Sequence, residues 1–86
     1  MIKHADLGDN KFGRLKALKL LIDAGRITVG GNRKLKIYGT LQCASGKRMK
    51  ADNRVFFTDV CEAIKAGYRP CGHCMRVAYL QWKALN

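Results

Sequence analysis

Apolar residues recur at helical spacing through Phe12, Leu15, Leu18, Leu21 and Ile22, with Lys11, Arg14, Lys16 and Lys19 decorating the remaining surface. Asp9 or Asn10 precedes this run as a cap. Gly25 follows it and can supply the left-handed residue that stops a helix. The period then switches to two. Ile27 and Val29 alternate with Arg26 and Thr28, and Leu35, Ile37 and Leu41 alternate with Lys34, Lys36, Tyr38 and Thr40. Gly30-Gly31-Asn32-Arg33 lies between them as a turn, so the segment predicts a hairpin with one oily face and one basic face. Ala44 to Asn53 has no clear period and reads as a loop or one short turn. Arg54-Val55-Phe56-Phe57 predicts a third short strand. Thr58 or Asp59 caps a second helix running through Ala66, with Val60, Ala63 and Ile64 inward and Gly67 at its end. Tyr68-Arg69-Pro70 leads into a final helix from about Gly72 to Ala84, bearing Val77, Tyr79, Leu80 and Trp82. The pattern predicts an α+β fold: one small domain over residues 1–86, with a short, mainly antiparallel sheet of hairpin plus third strand, flanked by helices. No repeat, low-complexity segment or linker interrupts it.

Size and charge narrow the function. Eighty-six residues make a thin core, and chains this short often recruit a metal, a disulfide or a partner. A hydrophobic fraction of 48% with a single proline argues for a folded globule. The formal net charge of +11 exceeds what solubility needs and points to a polyanionic partner. Most of it is concentrated: residues 26–54 carry Arg26, Arg33, Lys34, Lys36, Lys47, Arg48, Lys50 and Arg54 against Asp52 alone. A solvated face usually has acids interspersed, and this one lacks them. Arg33, Lys34, Lys36, Lys47, Arg48 and Arg54 are therefore the candidate phosphate contacts. No apolar run approaches the roughly 18 residues of a membrane span, and no export-signal pattern opens the chain. The expectation is a cytoplasmic protein that binds nucleic acid, DNA ahead of RNA, with no membrane or small-molecule partner.

Four cysteines, Cys43, Cys61, Cys71 and Cys74, must fit that reducing compartment, so thiols or metal ligands are favoured over disulfides. Cys71-Gly72-His73-Cys74 is a CxxC, whose two thiolates can grip one zinc from a tight turn. The same spacing serves thiol–disulfide exchange, but no βαβ frame of the thioredoxin kind is present to host it.

Three stretches together resemble the zinc-binding N-terminal domain of the Ada DNA-repair proteins. They are Tyr38-Gly39-Thr40-Leu41-Gln42-Cys43-Ala44-Ser45, then Asn53-Arg54-Val55-Phe56-Phe57, then Glu62 through Tyr68-Arg69-Pro70-Cys71-Gly72-His73-Cys74. The likeness covers about residues 34–76 and is most specific from Glu62 to Cys74. It implies a compact α+β domain in which four cysteines hold zinc and one accepts a methyl group from a methylphosphotriester in the DNA backbone. A metal-bound thiolate stays deprotonated and nucleophilic at neutral pH, so that chemistry is intelligible.

This chain departs from the pattern at one position. The family's first two cysteines form an aromatic-C-x-x-x-C segment, and here it reads Tyr38-Gly39-Thr40-Leu41-Gln42-Cys43. Gly39 stands where the methyl-accepting cysteine belongs, and glycine can neither ligate nor attack. The resemblance leaves Cys43, Cys71 and Cys74 as zinc ligands, with the fourth position going to water, a histidine from elsewhere, or nothing. Cys61 has no counterpart ligand and is expected as half-buried packing. His73 is badly placed to reach the ion its own CxxC would hold and is expected to be exposed, and His4 has no assigned place. Three functional readings stand open: a zinc-holding DNA-binding module in repair or its regulation, a methyl acceptor using Cys43 or Cys61, or a metal-free module binding RNA or another acidic partner.

Overall fold

A computed structural model describes residues 1–41 and 50–85. Its centre of gravity is the short run Arg54-Val55-Phe56-Phe57, where three consecutive apolar residues are completely buried. Successive strand side chains point to opposite faces, so such a run is stable only when both faces are covered. That is the arrangement found. Val55 and Phe57 join Val29, Tyr38, Ala63 and Tyr68 on one face, with Met75 against them. Phe56 joins Leu18 and Ile27 on the other, with Ile2, Leu7, Leu21 and Leu41 around it.

The elements in chain order are β1 (Ile2–Lys3), a 3₁₀ turn (His4–Leu7), α1 (Lys11–Asp23), β2 (Val29–Asn32), β3 (Ile37–Thr40), a 3₁₀ turn (Ala51–Asn53), β4 (Arg54–Phe57), α2 (Val60–Lys65), β5 (Arg69–Pro70) and α3 (Arg76–Leu85). The strands form one sheet in the order β1-β4-β2-β3-β5, antiparallel except for the β3–β5 pair. The fold class is therefore α+β, as the patterning predicts. The two-residue strands β1 and β5 add to the three expected.

Local signals place the helices. Asn10 caps α1, its side chain accepting from the Gly13 N–H at 2.7 Å. Asp59 does the same for α2, accepting from the Glu62 N–H at 2.8 Å. Gly25 and Gly67 follow the two helices at φ 73° and 87°, the left-handed conformation that glycine adopts without cost.

The hairpin corrects the patterning. Gly30, Gly31 and Asn32 lie inside β2, and the turn is Arg33–Lys36. The Asn32 side chain moves it there by accepting from the N–H groups of Lys34 at 2.9 Å and Leu35 at 3.0 Å. Lys36 completes the turn at φ 54°. Gly31 in turn suits the crowded sheet, because a Cβ there would lie 3.1 Å from the Phe57 ring. The predicted division into oily and basic faces fails for the same reason. Lys34, Leu35 and Lys36 belong to the tip rather than to a strand. Leu35 is 61% exposed, while Tyr38, expected among the polar positions, is buried in the core.

The helices are also less buried than their periodicity predicts. α1 meets the sheet through Leu18 and Leu21 and leaves Phe12 82% exposed. Leu15, Ile22, Val60 and Ile64 lie at the surface. α3 starts at Arg76, later than expected, because the CxxC forms a separate turn before it. No α3 residue is buried, and Val77 and Leu80 face solvent.

Candidate metal centre

The sheet register builds the floor of the candidate site. Residues directly opposite on neighbouring strands share a face. Ile2 faces Phe56, Phe56 faces Gly30, and Gly30 faces Gly39, so one row crosses four strands on the α1 side and ends at Gly39. β5 runs alongside β3, with Pro70 in register with Tyr38. The Cys71 N–H continues that ladder by donating to the Tyr38 carbonyl at 2.8 Å. The chain then leaves the sheet as the CxxC turn. It enters α3 through Met75 N–H to Cys71 carbonyl at 3.1 Å and Tyr79 N–H to Met75 carbonyl at 2.8 Å.

This geometry brings both CxxC sulfurs to the buried Gly39. A Cβ built on Gly39 would lie 2.7 Å from the Cys74 sulfur, 3.2 Å from the Cys71 Cβ and 4.0 Å from the Cys71 sulfur. Each sulfur also accepts a backbone donor: Thr40 N–H reaches Cys74 Sγ at 3.3 Å, and His73 N–H reaches Cys71 Sγ at 3.4 Å. Cys71 and Cys74 are half-buried, which shields the pair without sealing it.

The other sequence candidates divide. Cys43, with Lys47 and Arg48, lies outside the described residues. Among the described residues no three His, Cys, Asp or Glu side chains gather around a common point, so Cys61 and His4 do not join the CxxC pair. Cys61 is exposed on α2, correcting the half-buried expectation, because it lies two residues from the inward Ala63 on a one-and-a-half-turn helix. His73 is exposed, as expected. Among the described residues the donor set is thus two soft sulfur ligands, which suit zinc, and any third and fourth ligand would come from residues beyond them.

The basic residues occupy a different part of the molecule. Arg33, Lys34 and Lys36 are exposed on the hairpin tip, and Arg33 Nη2 donates to the Asp52 carbonyl at 3.1 Å. The Arg33 N–H donates to the Asn53 carbonyl at 2.8 Å, bringing the tip beside the start of β4. Arg54 is half-buried, its guanidinium 5.0 Å from the centre of the Phe56 ring, and burial pulls its pKa down.

Two further clusters are assembled by the fold and carry no sequence motif. Arg69 lies 5.6 Å and 5.5 Å from the ring centres of Tyr79 and Trp82, which stack on each other at 6.0 Å. Tyr79 also lies against Gly72, so this stack braces the CxxC turn against α3. The spacing of Tyr79 and Trp82, three apart on a helix, was the available signal. His4 and Arg14 form the second cluster with Arg54, considered below.

The family model described as the metal binding domain of Ada matches residues 23–76. It takes in the whole hairpin, Gly39, Cys43 and the CxxC, reaching further toward the N-terminus than the motif likeness did. No curated protein and no solved structure gives a significant match.

Proposed function

The chain belongs to the family of the metal binding domain of Ada, and from that premise we propose that it is a zinc-holding module that binds DNA without accepting a methyl group. Its role on this reading lies in DNA repair or its regulation. Cys43, Cys71 and Cys74 hold the zinc, which keeps its thiolates deprotonated and ties the β3 end to the CxxC turn. The observation that carries the reading is the approach of Cys71 and Cys74 to Gly39. Gly39, taken on this reading as the family's acceptor position, faces the sulfur pair and has no side chain to ligate or to attack.

Arg33, Lys34, Lys36, Lys47, Arg48 and Arg54 supply the phosphate contacts. Such contacts position a protein on a duplex without reading its sequence, so affinity is salt-dependent and nearly independent of base order. Residues 1–86 act as one unit in the cytoplasm; no helix among the described residues is long and apolar enough to cross a membrane. A fluorescence titration of labelled duplexes of unrelated sequence tests the DNA half. Similar affinities that fall steeply with salt support it, and no binding at low salt overturns it.

A further inference from the structure

The α1 side of the sheet carries a second cluster, at the edge remote from Gly39. Continuing the β1–β4 register, in which Ile2 faces Phe56 and Lys3 faces Val55, sets His4 opposite Arg54. Both rest on the same ring: the His4 imidazole is 5.6 Å from the Phe56 centre and the Arg54 guanidinium 5.0 Å. Arg14 joins them from α1, four residues before the buried Leu18 and seven before Leu21, on the stripe that meets the sheet.

Three nitrogen-bearing side chains from three elements therefore lie on one side of the sheet, and no acid among the described residues balances them. No carboxylate among the described residues pairs with Arg14 or Arg54; the ion pair found there is between the Met1 amino group and Glu62. His4 is only 7% exposed, yet its Nδ1 has no hydrogen-bond partner, and Arg14 Nε is likewise buried and unpartnered. Buried polar groups are ordinarily hydrogen-bonded, so an unpartnered imidazole nitrogen and an unpartnered guanidinium N–H on the same side of the sheet call for a ligand. Burial, Arg54 and Arg14 together lower the His4 pKa, leaving the ring neutral and able to offer one N–H beside two permanent charges. Arg14 and Arg54 each stay partly exposed, which leaves a route from solvent.

We infer that His4, Arg14 and Arg54 form an oxyanion site that takes a phosphate group. Two guanidinium forks match phosphate oxygens in geometry as well as charge, and donors arriving from α1, the His4–Leu7 turn and β4 surround a tetrahedral anion better than a planar one. The phosphate can be free or part of a nucleic-acid backbone, and the two sources are separable by experiment. The site goes beyond the DNA reading, which assigns Arg54 a contact but gives His4 and Arg14 no part.

The test is NMR of the His4 ring in the full chain. Inorganic phosphate and a short duplex are added in turn, each against chloride at matched ionic strength. A saturable shift of the His4 signals with phosphate alone assigns a free phosphate group. A shift with duplex alone assigns a backbone phosphate, and a shift with both supports a site open to either. Arg14→Gln should weaken the response roughly tenfold or more, while Arg14→Lys, which keeps charge and stem but not the fork, should fall between. Silence of His4 toward both probes, or an unchanged response in folded Arg14→Gln, overturns the site. Duplex affinity measured in the same samples decides the DNA reading separately.

Discussion

The sulfur of Cys74 occupies the place toward which a side chain at Gly39 would grow, 2.7 Å from where its Cβ would lie. Real Cβ contacts are not that short, so one of the two residues constrains the other. Gly39→Ala should destabilise the protein by roughly 1–3 kcal/mol, as overpacking of a well-filled site does. Cys74→Ala in the same chain should relieve much of that cost. Denaturation of both single variants and the double variant measures the coupling. Additive effects would mean that the sulfur does not hold this position in solution.

Gly39→Cys adds the same Cβ together with a thiol. If Gly39 holds the acceptor's place, zinc should bind Gly39→Cys more tightly than Gly39→Ala, since only the former offers another thiolate. Competition with a chromogenic chelator ranks the two. Equal affinities would separate position 39 from the metal.

Wild-type protein incubated with DNA carrying methylphosphotriesters should gain no mass. Methyl transfer needs a thiolate aligned behind the methyl–oxygen bond, and a displacement of about 1 Å can cost roughly a hundredfold. Cys43 lies four residues along the chain from Gly39, and Cys61 lies exposed on α2. A gain of one methyl group mapped to either cysteine would show that another thiol has taken over the chemistry.

Much of this fold is legible locally, and the limits have physical causes. The caps at Asn10 and Asp59, the stops at Gly25 and Gly67, the buried Val55-Phe56-Phe57 strand and the CxxC each need only neighbouring residues to be understood. Two adjacent glycines, Gly30 and Gly31, carry the signature of a turn although both lie inside β2. In the sheet, Gly31 is confined by Val55 and Phe57, while the turn is set by the Asn32 side chain. β1 and β5 are too short to show a period at all. The motif draws attention to Gly39, but its contact with Cys74 depends on the parallel β3–β5 pairing, a long-range fact. The cluster of His4, Arg14 and Arg54 depends likewise on register, with only the helical spacing of Arg14 to Leu18 to hint at it.

The buried His4 also sets an acid limit. Its folded pKa lies below the ordinary 6.5, chiefly through desolvation and then through Arg54 and Arg14. The unfolded chain therefore binds more protons in that range, and stability falls as pH drops below about 6.5. Thermal melts between neutral and mildly acidic pH should show the decline in wild type and a flatter profile in His4→Leu. Identical profiles would mean that His4 titrates as freely in the folded chain as in the unfolded one.

Duplex binding should lose about one unit of salt slope for each contacting charge removed. Lys47→Glu with Arg48→Glu, and separately Lys34→Gln with Lys36→Gln, should each weaken binding across unrelated sequences alike. Titrations at several salt concentrations give the slopes. Unchanged slopes would move the DNA contact elsewhere on the molecule.

The central claim is a zinc held by Cys43, Cys71 and Cys74 beside an acceptor position left empty of a side chain. Native mass spectrometry of protein purified under reducing conditions without chelator tests it most directly. One zinc per chain is expected, lost or sharply weakened in Cys71→Ser and in Cys43→Ser but retained in Cys61→Ser. An apo mass alone, with added zinc shifting neither that mass nor the melting temperature, would contradict it.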